Sequence, residues 1–208
     1  MNLEPIMIGY QMGMQTGDIQ YAHMNAFSNI RVGFIAGLNL RGLQKKAEKF
    51  EKEMIEYNQI AVYRYMLPLK WAVLDLMFLT DDPLVMDKKC SEQNSFLQQM
   101  FDSHNLIVIC DMYILGSIVA YIYSKYDLAA VLMQKRRELE KKLSRRTFLF
   151  GVTTFYDGLI FLAMAHKSSD FEWASEATKT MEEMERFVQI GKSNNEHKFL
   201  LLEAEMKS

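Results

Sequence analysis

Leu40-Arg41-Gly42-Leu43-Gln44-Lys45-Lys46-Ala47-Glu48-Lys49-Phe50-Glu51-Lys52-Glu53-Met54-Ile55-Glu56-Tyr57 is the stretch on which the fold class turns. Leu40, Leu43, Ala47, Phe50, Met54 and Tyr57 step by three and four, which puts them on one side of an α-helix. Lys45, Lys46, Glu48, Lys49, Glu51 and Lys52 fall between them, so the other side is charged. The pattern returns at Ala174, Ala177, Met181, Met184 and Val188, and at Leu128, Val131, Leu132, Leu139 and Leu143. Between these stripes lie Ile60 to Leu79, Leu106 to Tyr123 and Phe148 to Ala165, each apolar nearly all round. A helix without a polar side must be covered on several sides, so the chain alternates buried helices with half-wetted ones. The sequence predicts an all-α fold.

Composition agrees. Of 208 residues, 50% are hydrophobic and 24% charged, which excludes wholesale disorder. Only 3 Pro and 10 Gly punctuate the chain, against 16 Met, so turn-rich β architectures are disfavoured. Net charge is −2, without the basic footprint of a nucleic-acid binder. Two cysteines, Cys90 and Cys110, are too few for a secreted disulfide framework and point to a reduced, cytoplasmic setting. Met1-Asn2-Leu3-Glu4-Pro5 lacks a basic n-region and does not read as a signal peptide. Leu106 to Tyr123 and Thr147 to Ala165 are long enough to be scanned as membrane spans, and Lys135 to Arg146 between them is basic. Each carries an aspartate near its middle, Asp111 or Asp157, at a cost of about 2.5–3.5 kcal/mol in hydrocarbon. A membrane hairpin is therefore the third-ranked reading, and no insertion is expected.

Breaks are expected at Gly37-Leu38-Asn39, at Thr80-Asp81-Asp82-Pro83 and at Lys167-Ser168-Ser169, with helix caps at Asp82 and at Ser169-Asp170. Asp87 to Asn94 reads as a long loop, and Pro68 should kink or start a helix. Two features recur together. Tyr126-Asp127-Leu128-Ala129-Ala130 and Asp170-Phe171-Glu172-Trp173-Ala174 each open an amphipathic helix, with Asp127 and Asp170 standing 43 residues apart. Upstream of each, a buried helix carries an aromatic cluster with an aspartate, Asp111 and Asp157, 46 residues apart. Gly17-Asp18-Ile19-Gln20-Tyr21-Ala22 resembles a third copy. Helix pairs repeating at this period predict an α-solenoid of about four antiparallel pairs over residues 1–208.

Met14-Gln15-Thr16-Gly17-Asp18-Ile19-Gln20-Tyr21-Ala22, then Ala36-Gly37-Leu38-Asn39-Leu40, Phe78-Leu79-Thr80-Asp81-Asp82-Pro83, Tyr123-Ser124-Lys125-Tyr126-Asp127-Leu128-Ala129-Ala130 and Phe155-Tyr156-Asp157-Gly158-Leu159 follow one another along the chain. In that order they resemble the tetratricopeptide-like helical region found downstream of a STAND-type ATPase module in large multidomain signalling proteins. Those proteins also carry histidine-kinase, Ser/Thr-kinase or nucleotide-cyclase domains. The resemblance spans roughly residues 10 to 205. It implies a fragment of a larger protein, an intracellular scaffold or regulatory arm whose partners are proteins: other domains of the same chain or a signalling partner. The family's catalytic domains lie outside these 208 residues, so no catalysis carries over.

No local motif supplies chemistry. Ile190-Gly191-Lys192-Ser193 imitates the end of a phosphate loop, but Arg186 stands where that loop needs a glycine, and a helix C-cap is the better reading of Gly191. Asp81-Asp82 lacks the further carboxylate that a paired-Asp magnesium box requires at Val85. His23, His104, His166 and His197 share no i, i+3 or i, i+4 spacing with Cys or a carboxylate that looks like a metal constellation. The expectation is no catalytic residue, no cofactor and no metal. The alternative from another class is an α-helical enzyme built around Asp111 and Asp157, whose structural counter-reading is a bond to a Tyr hydroxyl or helix end. The methionines read as core, and Lys135 to Arg146 as a solvated face. Ile6-Met7-Ile8-Gly9-Tyr10-Gln11-Met12 and Phe199-Leu200-Leu201-Leu202 leave both ends apolar, which predicts self-association through them.

Overall fold

The computed structural model describes residues 3–77, 91–143, 150–168 and 170–207. Among them there is no strand, and ten helices follow one another along the chain. They pack in neighbouring antiparallel pairs, an all-α helical-repeat arrangement. About four pairs are expected from the sequence; the structure forms more, because Ser91–Asp102 is helical where the loop of residues 87–94 is expected to continue. Residues 87–90 of that loop, like Asp82 with its expected cap, lie outside the described residues.

The chain divides into two compact units, Met1–Leu115 and Gly116–Ser208. The first holds α1 (Glu4–Thr16), α2 (Ile19–Ile35), α3 (Leu40–Glu56), α4 (Ile60–Met77) and α5 (Ser91–Asp102). The division falls within α6 (Leu106–Ile122). The second unit continues through α7 (Tyr126–Glu140), α8 (Phe150–Ser168), α9 (Phe171–Ile190) and α10 (Lys192–Met206).

In the first unit the α3 stripe behaves as its spacing demands: Leu43, Ala47, Phe50 and Met54 are buried. Each large side chain among them contributes about 1.5–3 kcal/mol on leaving water. They meet Ala22, Ala26 and Ile30 of α2 and Val62, Met66, Leu69 and Val73 of α4 in one core. Pro68 is buried inside α4, which runs on through it. At Gly13 of α1 an added Cβ would stand 2.9 Å from the Ala22 side chain and 3.0 Å from the Ala22 nitrogen, so α1 and α2 touch through small residues. Tyr10 donates from its hydroxyl to Glu53 Oε2 at 2.6 Å and ties α1 to α3.

One turn recurs. Gly37, Asn58, His104 and Ser124 all adopt positive φ, between 54° and 71°. After each, the N–H of the next residue reaches back to a carbonyl five positions earlier: Leu38 to Gly33 at 3.0 Å, Gln59 to Met54 at 2.6 Å, Asn105 to Met100 at 2.9 Å, Lys125 to Ala120 at 2.9 Å. The positive-φ residue itself bonds the carbonyl three before it, at 2.9 to 3.1 Å. This is the Schellman closure, which satisfies carbonyls that a helix end would otherwise orphan. Asn39 and Asn105 then accept from the N–H of Gly42 and Val108 and start the following helix.

In the second unit Leu132 and Met133 of α7, Ile160 of α8, Ala177 and Met184 of α9 and Leu202 of α10 form the core. Of the stripe Leu128, Val131, Leu132, Leu139 and Leu143 only Leu132 is fully buried, and the buried side of α7 is turned toward Ala129, Ala130, Met133 and Arg136. Val131 is exposed, and Arg136 takes a buried place. The reason is electrostatic, because Arg136 has two carboxylates to hold there.

Candidate functional site

Asp111 and Asp157, the two carboxylates set inside apolar helices, belong to different units, and each is held by an arginine. Asp111, 4% exposed on α6, accepts from Arg31 Nη2 of α2 at 3.3 Å. Burial pushes its pKa up, and the Arg31 charge opposes that shift. Asp157 on α8 accepts from Arg136 Nη2 of α7, while Arg136 Nη1 donates to Glu140 Oε2 at 2.6 Å. Desolvation pushes Asp157 up to about 6 although Arg136 and Arg137 pull it down. The partners are therefore guanidinium groups and not the tyrosine hydroxyls or helix ends that the apolar surroundings suggest. Sequence spacing could not pair Arg31 with Asp111, 80 residues away.

The positions expected to repeat occupy differing roles. Gly17 ends α1 with φ 82°. Asp18 is the α2 N-cap without a side-chain cap bond, though its carbonyl accepts the Ala22 N–H at 3.0 Å; Ala22 is fully buried. Tyr126 is the first residue of α7, its ring 5.5 Å from that of Tyr121. Asp127 lies two residues past the Lys125 cap, exposed, and pairs with Lys167 of α8. Ala130 is buried, but Ala129, also buried, is the residue that matches Ala22 in distance from the cap. Asp170 caps α9 and accepts from the Glu172 N–H at 2.9 Å, whereas Ala174 is exposed and Ala177 takes the buried place. Ser169 lies outside the described residues.

Gly191 is both the end of α9 and the cap of α10, with φ −154°, an extended conformation open to any residue. The Gly191 N–H caps the α9 terminus by bonding the Phe187 carbonyl at 2.9 Å, and Asn195 Nδ2 adds bonds to the Phe187 and Gly191 carbonyls at 3.0 and 3.1 Å. Lys192 is exposed and pairs with Glu196 at 3.2 Å. His23 is fully buried; its Nδ1 donates to the Ile19 carbonyl at 2.8 Å, and its Nε2 has no bond. Among the described residues no group of three His, Cys, Asp or Glu side chains could hold a metal ion, and no helix is long and apolar enough to cross a membrane.

What the sequence did not single out is a cleft of about 430 Å³ in the second unit, formed by α7, α8 and α9. Phe161 and Trp173 are its aromatic lining, with ring centroids 5.8 Å apart. The Arg137 guanidinium lies 5.1 Å over the Phe161 ring and donates to Glu176 at 3.0 Å. Lys179 bonds Glu176 from beside the cleft at 2.7 Å and, with Arg137, holds its pKa below the usual range. Lys141 does the same for Glu138. The remaining wall carries Asp170 and Glu172. Part of this was readable: Trp173 and Glu172 sit in the α9 opening, but their meeting with Phe161 is tertiary.

No protein-family model, curated protein or solved structure matches the chain.

Proposed function

We propose that this chain is a non-catalytic, tetratricopeptide-like helical-repeat arm that docks protein segments in cytoplasmic signalling assemblies. The observation that carries the reading is the succession of neighbouring helix pairs closed by one recurring turn. Such stacks bury a continuous core and leave side surfaces for other chains. The buried aspartates fit the same reading, since arginines engage both within the fold. The resemblance to the region beside STAND-type ATPase modules gives the regulatory context, and each unit carries exposed apolar residues of its own, Ile8 and Met12 in the first and Leu200 and Leu201 in the second, for contact with another domain or another copy.

The test is to read the coding sequence on both sides of this segment and express the segment with its encoded neighbour. An in-frame ATPase, kinase or cyclase domain whose turnover changes when the helical segment is removed supports the arm. A catalytic neighbour indifferent to that removal, or a reading frame that encodes only the helices, overturns it.

A further inference from the structure

We propose that the cleft between α7, α8 and α9 binds a lysine- or arginine-bearing segment of a partner protein; this rests on the docking function above and specifies its chemistry. The chain already binds one guanidinium there. Arg137 stacks on Phe161 and pairs with Glu176, an aromatic face and a carboxylate acting on one cation. The cleft offers a second ring and two further carboxylates beside that pair. Trp173 is half-buried beside Phe161, and Asp170 and Glu172 stand at the start of the same helix. Glu172 has no ion pair among the described residues, and Asp170 gives one oxygen to a backbone N–H.

The charge balance points the same way. Four carboxylates, Glu138, Asp170, Glu172 and Glu176, line the cleft against Arg137 and Lys141. Lys179 adds a third cation at Glu176, which leaves four carboxylates against three cations. The positive end of α9 offsets only about half a charge of the two carboxylates there. An acidic segment would meet like charge beside Trp173, and a purely apolar one would bury the Asp170 and Glu172 charges without a countercharge. A basic side chain with an aliphatic stem satisfies both ring and carboxylate.

The experiment uses the full chain carrying Trp71→Phe, so that Trp173 is the sole indole emitter. It is titrated with a short peptide rich in arginine and lysine, and with the same peptide bearing glutamate at those positions. The basic peptide should change Trp173 emission saturably and weaken as salt rises, and the acidic twin should leave it unchanged. Glu138→Gln with Glu172→Gln, both at exposed positions, should weaken binding by about tenfold or more with the helical circular dichroism spectrum retained. Equal response to both peptides, affinity unaltered by the double substitution, or no response at millimolar peptide overturns the proposal. Failure here beside a catalytic neighbour that still responds to the segment refutes the cleft and leaves the arm; binding here without such a neighbour does the reverse.

Discussion

Arg136 is 3% exposed, yet its terminal nitrogens hold Glu140 and Asp157 together in the second unit. Removing one member of such a cluster strands the others in a poorly solvated place. Arg136→Ala should therefore cost about 3–5 kcal/mol in urea unfolding at neutral pH, while Arg136→Met combined with Asp157→Leu should recover most of that. A double substitution as damaging as the single one would show that the charges matter for more than their pairing. Asp157 also leaves a signature in pH. Its folded pKa of about 6 lies above the unfolded 3.8, so the native state binds the extra proton between those values. Stability from this group is then present in full below about pH 4 and declines by about 3 kcal/mol as pH rises through 6. Asp157→Asn should flatten that part of the wild-type profile, and an unchanged slope would refute the shift. Arg136, Arg137 and Glu140 surround the group and set the size of the effect. Charge is also where the sequence was hardest to read. An arginine in a segment with seven basic residues between Lys135 and Arg146 looks like solvated surface, and the distant Asp157 together with Glu140 explains why Arg136 lies inward.

At the level of elements, hydrophobic spacing located the helices because it is a local property. Ile60 and Leu106 start α4 and α6 where the apolar runs begin. The turns were half legible. Gly37 announces itself, since glycine takes positive φ without a Cβ penalty. Asn58, His104 and Ser124 form the same closure with side chains that pay for it sterically, Asn58 the least and Ser124 with the weakest signal in its identity. Ser124→Gly should accordingly raise stability by about 0.5–1 kcal/mol, the relief of the left-handed strain less the added freedom of the unfolded chain. A loss of stability would mean that the serine makes a contact worth more than its strain. The opposite case is Gly13, where a Cβ meets the Ala22 side chain and backbone too closely. Gly13→Ala should cost about 1–3 kcal/mol, because the backbone on the far side cannot swing away as a flexible side chain does. The Asp and Ala positions of the expected repeat show the limit of motif reading. Aligned from their caps, Asp127 falls two residues beyond Asp18 and Asp170, so similar letters serve different places on the helix.

For the whole molecule, the exposed apolar residues near the two ends are where association of copies is tested. Phe199-Leu200-Leu201-Leu202 reads as one exposed apolar run, but helical geometry divides it. Leu202 is fully buried, and an added Cβ on Gly158 would lie 3.0 Å from both its methyl groups, whereas Leu200 and Leu201 are 54% and 47% exposed. Burial of the outer pair against another surface is worth about 1.5–3 kcal/mol for each side chain fully covered, and Ile8 and Met12 on α1 offer a similar face. Light scattering at tens of micromolar should then show oligomers that Leu200→Glu with Leu201→Lys disperses, at nearly unchanged unfolding midpoint. Leu202→Glu is the contrasting substitution. It forces a carboxylate against Gly158 and Thr180 and should lower the unfolding midpoint sharply through the core, whatever it does to association. A chain that is monomeric throughout this range, and indifferent to the Leu200 and Leu201 changes, would refute association through the α10 face while leaving the packing of Leu202 intact.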